Sequence, residues 1–137
     1  MPVSTRSTSK QATLILDASA WVEYLRGSPR GRQVASLIEG KQVLVLSFTV
    51  FEVAAVLGKE GENSKDVVRV LLDRALVHHL SSQTAANAAQ FYVAARKTRQ
   101  KLSSGDALVF STADELGFSL VTCDNDFVGL SGVIVVR

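Results

Sequence analysis

Apolar runs of strand length alternate along this chain with longer stretches of helical period. The strand-length runs are residues 13–16, 43–46, 118–122 and 133–136, with residues 77–80 as a short edge strand or a loop. The helical stretches are about residues 20–26, 29–39, 50–59, 65–72, 84–97 and 106–116. Strands that alternate with helices form parallel sheets, and right-handed crossovers place the helices on both faces. The pattern therefore predicts a single α/β domain with a central parallel sheet of four or five strands.

The predicted domain spans residues 12–137 and follows a polar, flexible N-terminal tail, residues 1–11. Its hydrophobic content of 47% is enough for one core. A formal net charge of +2 does not by itself indicate nucleic-acid binding, which needs a local patch. A single cysteine cannot form an intramolecular disulfide, and no apolar run approaches the ~18 residues of a membrane span. The N-terminus also lacks the apolar stretch of a signal peptide, so we expect a cytoplasmic protein.

Four acidic side chains are predicted to meet at one edge of this sheet. Asp17 and Asp124 directly follow apolar strands, and Glu52 and Asp106 are expected in the first turns of helices. In open α/β sheets, ligands bind outside the carboxyl ends of the strands. Carboxylates that are forced together raise one another's pKa values unless a cation neutralises them. Oxygen ligands without His or Cys favour Mg²⁺ or Mn²⁺ over zinc.

Each of these acidic residues also has a purely structural explanation. Asp17 has the position of an N-cap for the helix that follows it, and residues 124–126 have the pattern of an Asx turn. Thr49-Val50-Phe51-Glu52 and Ser103-Ser104-Gly105-Asp106 both have the spacing of a capping box. The coincidence of four carboxylates at one predicted edge favours a metal site over four separate local roles.

Four motifs of this sequence resemble those of the PIN-domain ribonucleases. They are Leu14-Ile15-Leu16-Asp17-Ala18-Ser19, Phe48-Thr49-Val50-Phe51-Glu52-Val53, Leu102-Ser103-Ser104-Gly105-Asp106-Ala107-Leu108 and Gly117-Phe118-Ser119-Leu120-Val121-Thr122-Cys123-Asp124-Asn125-Asp126-Phe127. Their order, their spacing and the chain length all match that family. The resemblance covers about residues 12–137, and within the family the chain looks like the VapC-type toxins of toxin–antitoxin pairs.

The resemblance implies a set of metal-binding acidic residues. The positions that match the acidic quartet of the family are Asp17, Glu52, Asp106 and Asp124, and Asp126 matches a further acidic position of variable role. Ser19 and Thr122 match small hydroxyls that hydrogen-bond around the acidic site and fix the orientation of its ligands. Cys123 stands where these toxins frequently carry a larger polar or basic residue, a departure that bears on RNA contacts rather than on the metal site.

The activity implied by the resemblance is metal-assisted hydrolysis of RNA phosphodiester bonds, with Mg²⁺ or Mn²⁺ as cofactor. A bound metal polarises the phosphate and lowers the pKa of a bound water. One ion or two are both compatible with the motifs, and Asp126 or Asp106 is the candidate general base. The resemblance also implies a homodimer with the active sites on a shared groove, and an antitoxin whose C-terminal segment covers that groove. Transfer, ribosomal and messenger RNA are all possible substrates.

A basic run lies just before the third motif, and it contains Arg96, Lys97, Arg99 and Lys101. One interpretation is that these side chains contact RNA phosphates next to the metal site, where each neutralised phosphate adds salt dependence. The other is a solvated helix C-terminus, where cations are favourable without any ligand.

The sequence also bears on function classes other than the nuclease. A catalytically silent PIN fold that binds RNA or protein is the alternative outside enzymes, and the complete acidic quartet argues against it. A PIN nuclease that processes RNA without an antitoxin is the alternative within enzymes. A receiver domain needs a Lys after a late strand, and a haloacid-type phosphatase needs Asp-x-Asp after the first strand; the sequence meets neither requirement. His78 and His79 do not predict a joint metal site, because neighbours on a strand point to opposite faces.

Overall fold

The computed structural model describes residues 13–137. The five strands are β1 (Thr13–Leu16), β2 (Gln42–Leu46), β3 (Leu76–His78), β4 (Ser119–Thr122) and β5 (Val133–Val135). The six α-helices are α1 (Ala18–Arg26), α2 (Pro29–Ile38), α3 (Ser47–Lys59), α4 (Ser64–Arg74), α5 (Ser82–Ala95) and α6 (Ser104–Leu116). The tail predicted for residues 1–11 and the first residue of the predicted domain, residue 12, lie outside the described part of the chain.

The strands form one parallel sheet in the order β3-β2-β1-β4-β5. At its centre, Ile15 of β1 is in register with Leu44 of β2 on one side and with Leu120 of β4 on the other. The predicted parallel α/β sheet is thereby confirmed, and the candidate edge strand at residues 77–80 is a strand at residues 76–78. Because every strand runs the same way, the residues that follow β1, β2 and β4 emerge at the same edge of the sheet.

Two apolar cores lie on opposite faces of the sheet. Alternate β1 residues face opposite ways, so that Leu14 and Leu16 join the core under α1–α4, whereas Ile15 joins the core under α6. Helix α5 packs on α6, and the rings of Phe91 and Phe110 stack between them with their centroids 4.6 Å apart. Helices therefore cover both faces, as predicted, and the carboxyl edge of the sheet stays open between the two layers.

Helix α3 begins directly after β2, three residues earlier than the sequence predicts. Its N-cap is Leu46, and Ser47 is its first residue, so that Glu52 is the sixth residue of the helix. The prediction of a Thr49–Glu52 capping box in the first turn is therefore wrong. The physical reason is that β2 leads into the helix without a polar cap, and the buried Thr49 already lies inside the first turn.

The other two predicted caps are present. Asp17 is the N-cap of α1 and accepts a hydrogen bond from the Ala20 amide. Ser103 and Asp106 form a reciprocal capping box at the start of α6, as their spacing predicts. Both interactions link residues three apart, so the local sequence determines them. They also fix two of the acidic side chains at the ends of rigid helices.

None of the helices within residues 13–137 is long and apolar enough to cross a membrane.

Candidate active site

Asp17 is a buried carboxylate at the carboxyl end of β1, with 4% of its surface exposed. Its Oδ1 accepts hydrogen bonds from the Ser19 hydroxyl at 2.8 Å and from the Ala20 amide at 2.9 Å. Its Oδ2 accepts a bond of 2.6 Å from the Thr122 hydroxyl. These three donors hold the carboxylate in one orientation inside the protein.

The hydroxyls of Ser19 and Thr122 connect the end of β1 to the end of β4. The two hydroxyl oxygens are 3.2 Å apart. Ser19 Oγ accepts the Cys123 amide at 3.0 Å, and Thr122 Oγ1 accepts the Asp124 amide at 3.0 Å. The predicted proximity of both hydroxyls to the acidic residues is therefore present, and it fixes the backbone on which Asp124 is carried.

Asp124 and Asp126 lie on the short 3-10 turn that follows β4, Asn125–Phe127. The Asp126 amide donates to Asp124 Oδ1 at 2.8 Å, which is the Asx turn expected from the sequence. Phe127 is fully buried and anchors this turn in the core beneath it. The local turn thus presents two carboxylates, two residues apart, on one rigid corner.

Asp106 reaches the same corner from the first turn of α6. Its Oδ2 accepts the Ser103 amide at 3.0 Å, and its own amide donates to Ser103 Oγ at 3.0 Å. Carboxylate oxygens of Asp106, Asp124 and Asp126 all lie within 4.8 Å of one another, and each of the three side chains is half-buried. Three acidic groups from two separate segments therefore converge on one point.

Glu52 faces this cluster from α3, across a close approach between α3 and α6. A methyl group built on Gly105 would lie 3.2 Å from Glu52 Oε2 and 2.7 Å from Phe48 Cε2. The glycine before Asp106 is therefore what allows Glu52 and the start of α6 to share this space. We did not single out Gly105 or Phe48 from the sequence, and the only signal was a glycine inside the third motif.

Burial, together with the charges of neighbouring carboxylates, raises the pKa values of Asp17, Glu52, Asp106 and Asp126. Burial raises the pKa of Glu52 from 4.5 to about 7, and the charges of Asp106 and Asp17 add to the shift. Burial likewise raises the pKa of Asp17 from 3.8 to about 6, although the hydrogen bonds from Thr122, Ala20 and Ser19 oppose it. The pKa of Asp106 is raised by burial and by the charges of Asp124 and Asp126. Burial and the charge of Asp124 raise the pKa of Asp126.

The donor set of the cluster fits a hard divalent cation. All its nearby ligand atoms are carboxylate oxygens, which Mg²⁺ and Mn²⁺ prefer. Burying carboxylates beside like charges is unfavourable until a cation neutralises them, and the raised pKa values of Glu52 and Asp106 reflect their burial first and the neighbouring charges second. The residues present can therefore hold such an ion.

The basic run before α6 divides into two kinds of side chain. Lys97 and Lys101 are exposed, and the charge of Lys101 acts on Asp126. Arg96 is exposed and donates to the Tyr92 hydroxyl at 2.7 Å and to the Leu102 carbonyl at 3.3 Å.

Arg99 differs from its neighbours in the basic run, because it is half-buried and its guanidinium bonds to backbone carbonyls of the Asp126 loop. The sequence interpretation treated the four cations alike and missed this difference, for which the sequence carries no evident signal.

The comparisons with known proteins agree with this architecture. A family model for the PIN domain matches residues 14–132. No curated protein sequence is significantly similar to the chain.

Solved structures with the same fold include several bacterial toxins. A toxin–antitoxin complex from Klebsiella pneumoniae aligns with a TM-score of 0.72 and 22% identity, over 90% of this chain and 98% of that chain. VapC20 of Mycobacterium tuberculosis, a sarcin-ricin loop cleaving toxin, aligns with a TM-score of 0.72 and 20% identity, over 90% and 99%. VapBC2 of Rickettsia felis, bound to a DNA fragment from its promoter, aligns with a TM-score of 0.70 and 14% identity, over 90% and 96%. At these identities, the likeness establishes the shared fold.

Proposed function

This chain belongs to the PIN domain family, and from that premise we propose that it is a divalent-metal-dependent endoribonuclease, the toxin of a VapBC-type toxin–antitoxin pair. One observation carries the proposal. Three carboxylates, Asp106, Asp124 and Asp126, have ligand oxygens within 4.8 Å of one another at the open edge of the sheet. The family and the toxin structures of the same fold support the same assignment.

In this proposal the metal ligands are Asp17, Glu52, Asp106 and Asp124. Asp17 has both oxygens oriented by hydrogen bonds from Ser19, Ala20 and Thr122, which is the arrangement that orients a ligand before the metal arrives. These four carboxylates would hold Mg²⁺ or Mn²⁺, which would polarise the scissile phosphate and lower the pKa of a water beside it.

Asp126 is our candidate for the group that takes the proton from the attacking water. Its raised pKa brings the carboxylate closer to the operating pH than an ordinary Asp, which favours proton transfer. Asp106 is the second candidate, but its Oδ2 already accepts the Ser103 amide. In hydrolysis, the water oxygen forms the new bond to phosphorus, the ribose oxygen leaves with its electron pair, and the carboxylate first holds the released proton.

The exposed Lys97, Lys101 and Arg96 are the side chains we propose for contact with RNA phosphates. They lie on the segment that leads into α6, and Lys101 is close enough for its charge to act on Asp126. A cation at this place attracts the phosphodiester backbone without reading its sequence, so the contribution of these residues weakens as salt rises. RNA as substrate also implies an intracellular site of action, which the single free cysteine is compatible with.

A cognate antitoxin and a second copy of the chain complete the proposal. Toxin–antitoxin complexes share this fold, and an antitoxin segment laid over the acidic edge would keep RNA away from it. The prediction is that the product of the neighbouring antitoxin gene binds the purified protein and stops cleavage. Cleavage that continues with the bound antitoxin would point instead to a nuclease without this form of control.

The decisive experiment is cleavage of total cellular RNA by the purified protein with Mg²⁺, with Mn²⁺ and with EDTA. Asp106→Asn is the test variant, because an asparagine oxygen can still accept the Ser103 amide and keep the cap of α6. Asp114→Asn is the matched control, since Asp114 is exposed on the same helix and loses the same charge. We expect metal-dependent cleavage that falls at least about 100-fold in Asp106→Asn and is unchanged in Asp114→Asn.

Two other outcomes would redirect the assignment. If the folded, antitoxin-free protein binds RNA but cuts none under any metal, the chain is the silent binding module. If cleavage persists in EDTA and in Asp106→Asn, the acidic cluster is not the catalytic centre.

A further inference from the structure

Arg99 links two segments of the chain that carry the acidic cluster. It lies in the connection between α5 and α6, and its side chain is half-buried there. Its Nη1 donates to the Asp126 carbonyl at 2.9 Å and to the Val128 carbonyl at 2.8 Å. One nitrogen thus bonds the middle residue of the turn after β4 and the residue that directly follows this turn.

The connection that carries Arg99 is itself anchored next to Asp106. The Arg99 amide donates to the Ala95 carbonyl at 2.8 Å, and the Arg99 carbonyl accepts the Leu102 amide at 3.1 Å. Leu102 is fully buried, and the next residue, Ser103, is the N-cap that holds Asp106. The guanidinium therefore links the connection that leads into α6 to the turn that bears Asp124 and Asp126.

Gly129 leaves the space that this guanidinium occupies. A methyl group built on Gly129 would lie 3.2 Å from Arg99 Nη2, and the glycine has a φ of +91°, where other residues are strained. The loop after β4 thus accepts two hydrogen bonds from Arg99 and, at Gly129, also leaves room for the guanidinium. The contact therefore depends on Arg99 and Gly129, neither of which belongs to the acidic quartet.

We propose that Arg99 is a positioning residue: it fixes the Asp126–Val128 backbone against the connection that leads into α6, and so holds the metal ligand Asp124 and the candidate base Asp126 next to Asp106. The proposal rests on the metal-dependent function above. Because Arg99 bonds to main-chain carbonyls, it brings a positive charge beside the cluster without occupying the carboxylate oxygens. Its role is thus separate from the RNA contact expected of the exposed Lys97.

The test compares Arg99→Gln with Lys97→Gln, which removes the same charge from an exposed position two residues earlier. Four quantities are measured: Mn²⁺ affinity without RNA by calorimetry, kcat and KM on a short RNA, and amide hydrogen exchange of the metal-free protein. The informative amides are those of Val128 and Leu130, which donate to Asn125 and Phe127 carbonyls within the turn.

In Arg99→Gln, we expect Mn²⁺ affinity and kcat to fall by about 10–100-fold, as for other residues that orient metal ligands. KM for RNA should change far less, and the two amides should exchange faster at an unchanged melting temperature. Lys97→Gln should leave Mn²⁺ affinity and exchange as in the wild type. Arg99→Lys, which keeps a donor to the carbonyls, should recover part of the loss, and Gly129→Ala should reproduce the Arg99→Gln effects from the other side.

Equal Mn²⁺ affinity and equal exchange in Arg99→Gln and the wild type would overturn the positioning role, and a rise in KM alone would make Arg99 an RNA contact instead. A wild-type protein that binds no Mn²⁺ would overturn the proposed function itself and, with it, the role of Arg99 at a metal site. The wild-type titration therefore separates the two failures.

Discussion

The Thr122 hydroxyl connects the buried Asp17 carboxylate to the backbone of Asp124. This hydroxyl donates to Asp17, accepts the Asp124 amide and lies 3.2 Å from Ser19 Oγ. A buried side chain with these partners orients one proposed metal ligand and the backbone of another. Loss of the hydroxyl also leaves a buried carboxylate short of one donor, which is unfavourable.

We therefore predict that Thr122→Val lowers metal-dependent cleavage by about 10–100-fold and destabilises the protein by about 1–3 kcal/mol. Thr122→Ser keeps the hydroxyl and should retain most of the activity. Denaturant unfolding and RNA cleavage of both variants measure the two effects. A Thr122→Val protein with wild-type Mn²⁺ affinity would show that Thr122 does not orient the ligands.

Glu52 makes the stability of the metal-free protein depend on pH. Its pKa is raised from 4.5 to about 7, so the folded chain keeps this proton up to about pH 7, whereas the unfolded chain releases it near pH 4.5. The stability contributed by this group is therefore fully present below pH 4.5 and is lost as the pH rises to 7.

Glu52→Gln removes this loss, because the amide does not ionise. At pH 8 without metal, we expect the variant to be more stable than the wild type by on the order of 2–3 kcal/mol. At pH 4 the two proteins should be nearly equally stable. At pH 8, Mg²⁺ should stabilise the wild type more than the variant. Thermal unfolding at the two pH values, with EDTA or Mg²⁺, provides the measurement. A difference that is the same at both pH values would rule out ionisation of Glu52 as its cause.

At the scale of elements, the site depends on how closely α3 and α6 approach. Gly105 leaves no room for a larger side chain between these helices, since a methyl group there would lie 2.7 Å from the Phe48 ring. Within a helix, alanine is intrinsically more favourable than glycine by roughly 1 kcal/mol. The glycine is therefore explained by tertiary packing and not by helix propensity.

Gly105→Ala is expected to destabilise the protein by about 1–3 kcal/mol in spite of that propensity, since overpacking forces α3 and α6 apart. It should also lower Mn²⁺ affinity, because Glu52 Oε2 lies in the same space. The double variant Gly105→Ala with Phe48→Ala removes the ring and should recover part of the stability relative to Phe48→Ala alone. A Gly105→Ala protein more stable than the wild type would mean that α3 and α6 accommodate the added methyl group without strain.

At the scale of the whole molecule, the exposed face of α3 is the surface on which we expect the chain to dimerise. Phe51 is 70% exposed on this helix, beside the proposed metal ligand Glu52, and Val56 is 39% exposed. Ala54 and Leu57, small and apolar residues of the same helix, are buried in the core of the monomer and are not available to a partner. Large apolar side chains exposed next to a polar edge commonly mark an interaction surface.

We predict that light scattering at micromolar protein gives about twice the 14.7 kDa of one chain. Phe51→Ser should shift the protein towards the monomer, because it removes the largest exposed apolar side chain of α3. Val93→Ser is the control, since Val93 is 64% exposed on α5, on the other layer of the fold. A wild-type protein that scatters as a monomer would contradict the dimer, and an equal effect of both substitutions would place the interface elsewhere.

The layers of the fold and the local geometry of most acidic residues can be predicted from the sequence alone. Alternating strand and helix periods specify a parallel sheet, because each element must bury its own apolar face. The Asp17 cap, the Ser103–Asp106 capping box and the Asp124–Asp126 turn each join residues two or three apart. Interactions of such short range depend on the local chain alone, so the sequence predicts them.

How these elements combine into one site depends on long-range contacts that the sequence does not reveal. Arg99 and the Asp126 carbonyl are 27 residues apart, and Thr122 and Asp17 are 105 residues apart, so neither contact has a local pattern. The position of Glu52 within α3 also differs from the prediction, because a buried strand leads into that helix without a polar cap. Which distant residues meet depends on the order of the strands and the packing of the two helical layers, and no single segment of the sequence encodes either.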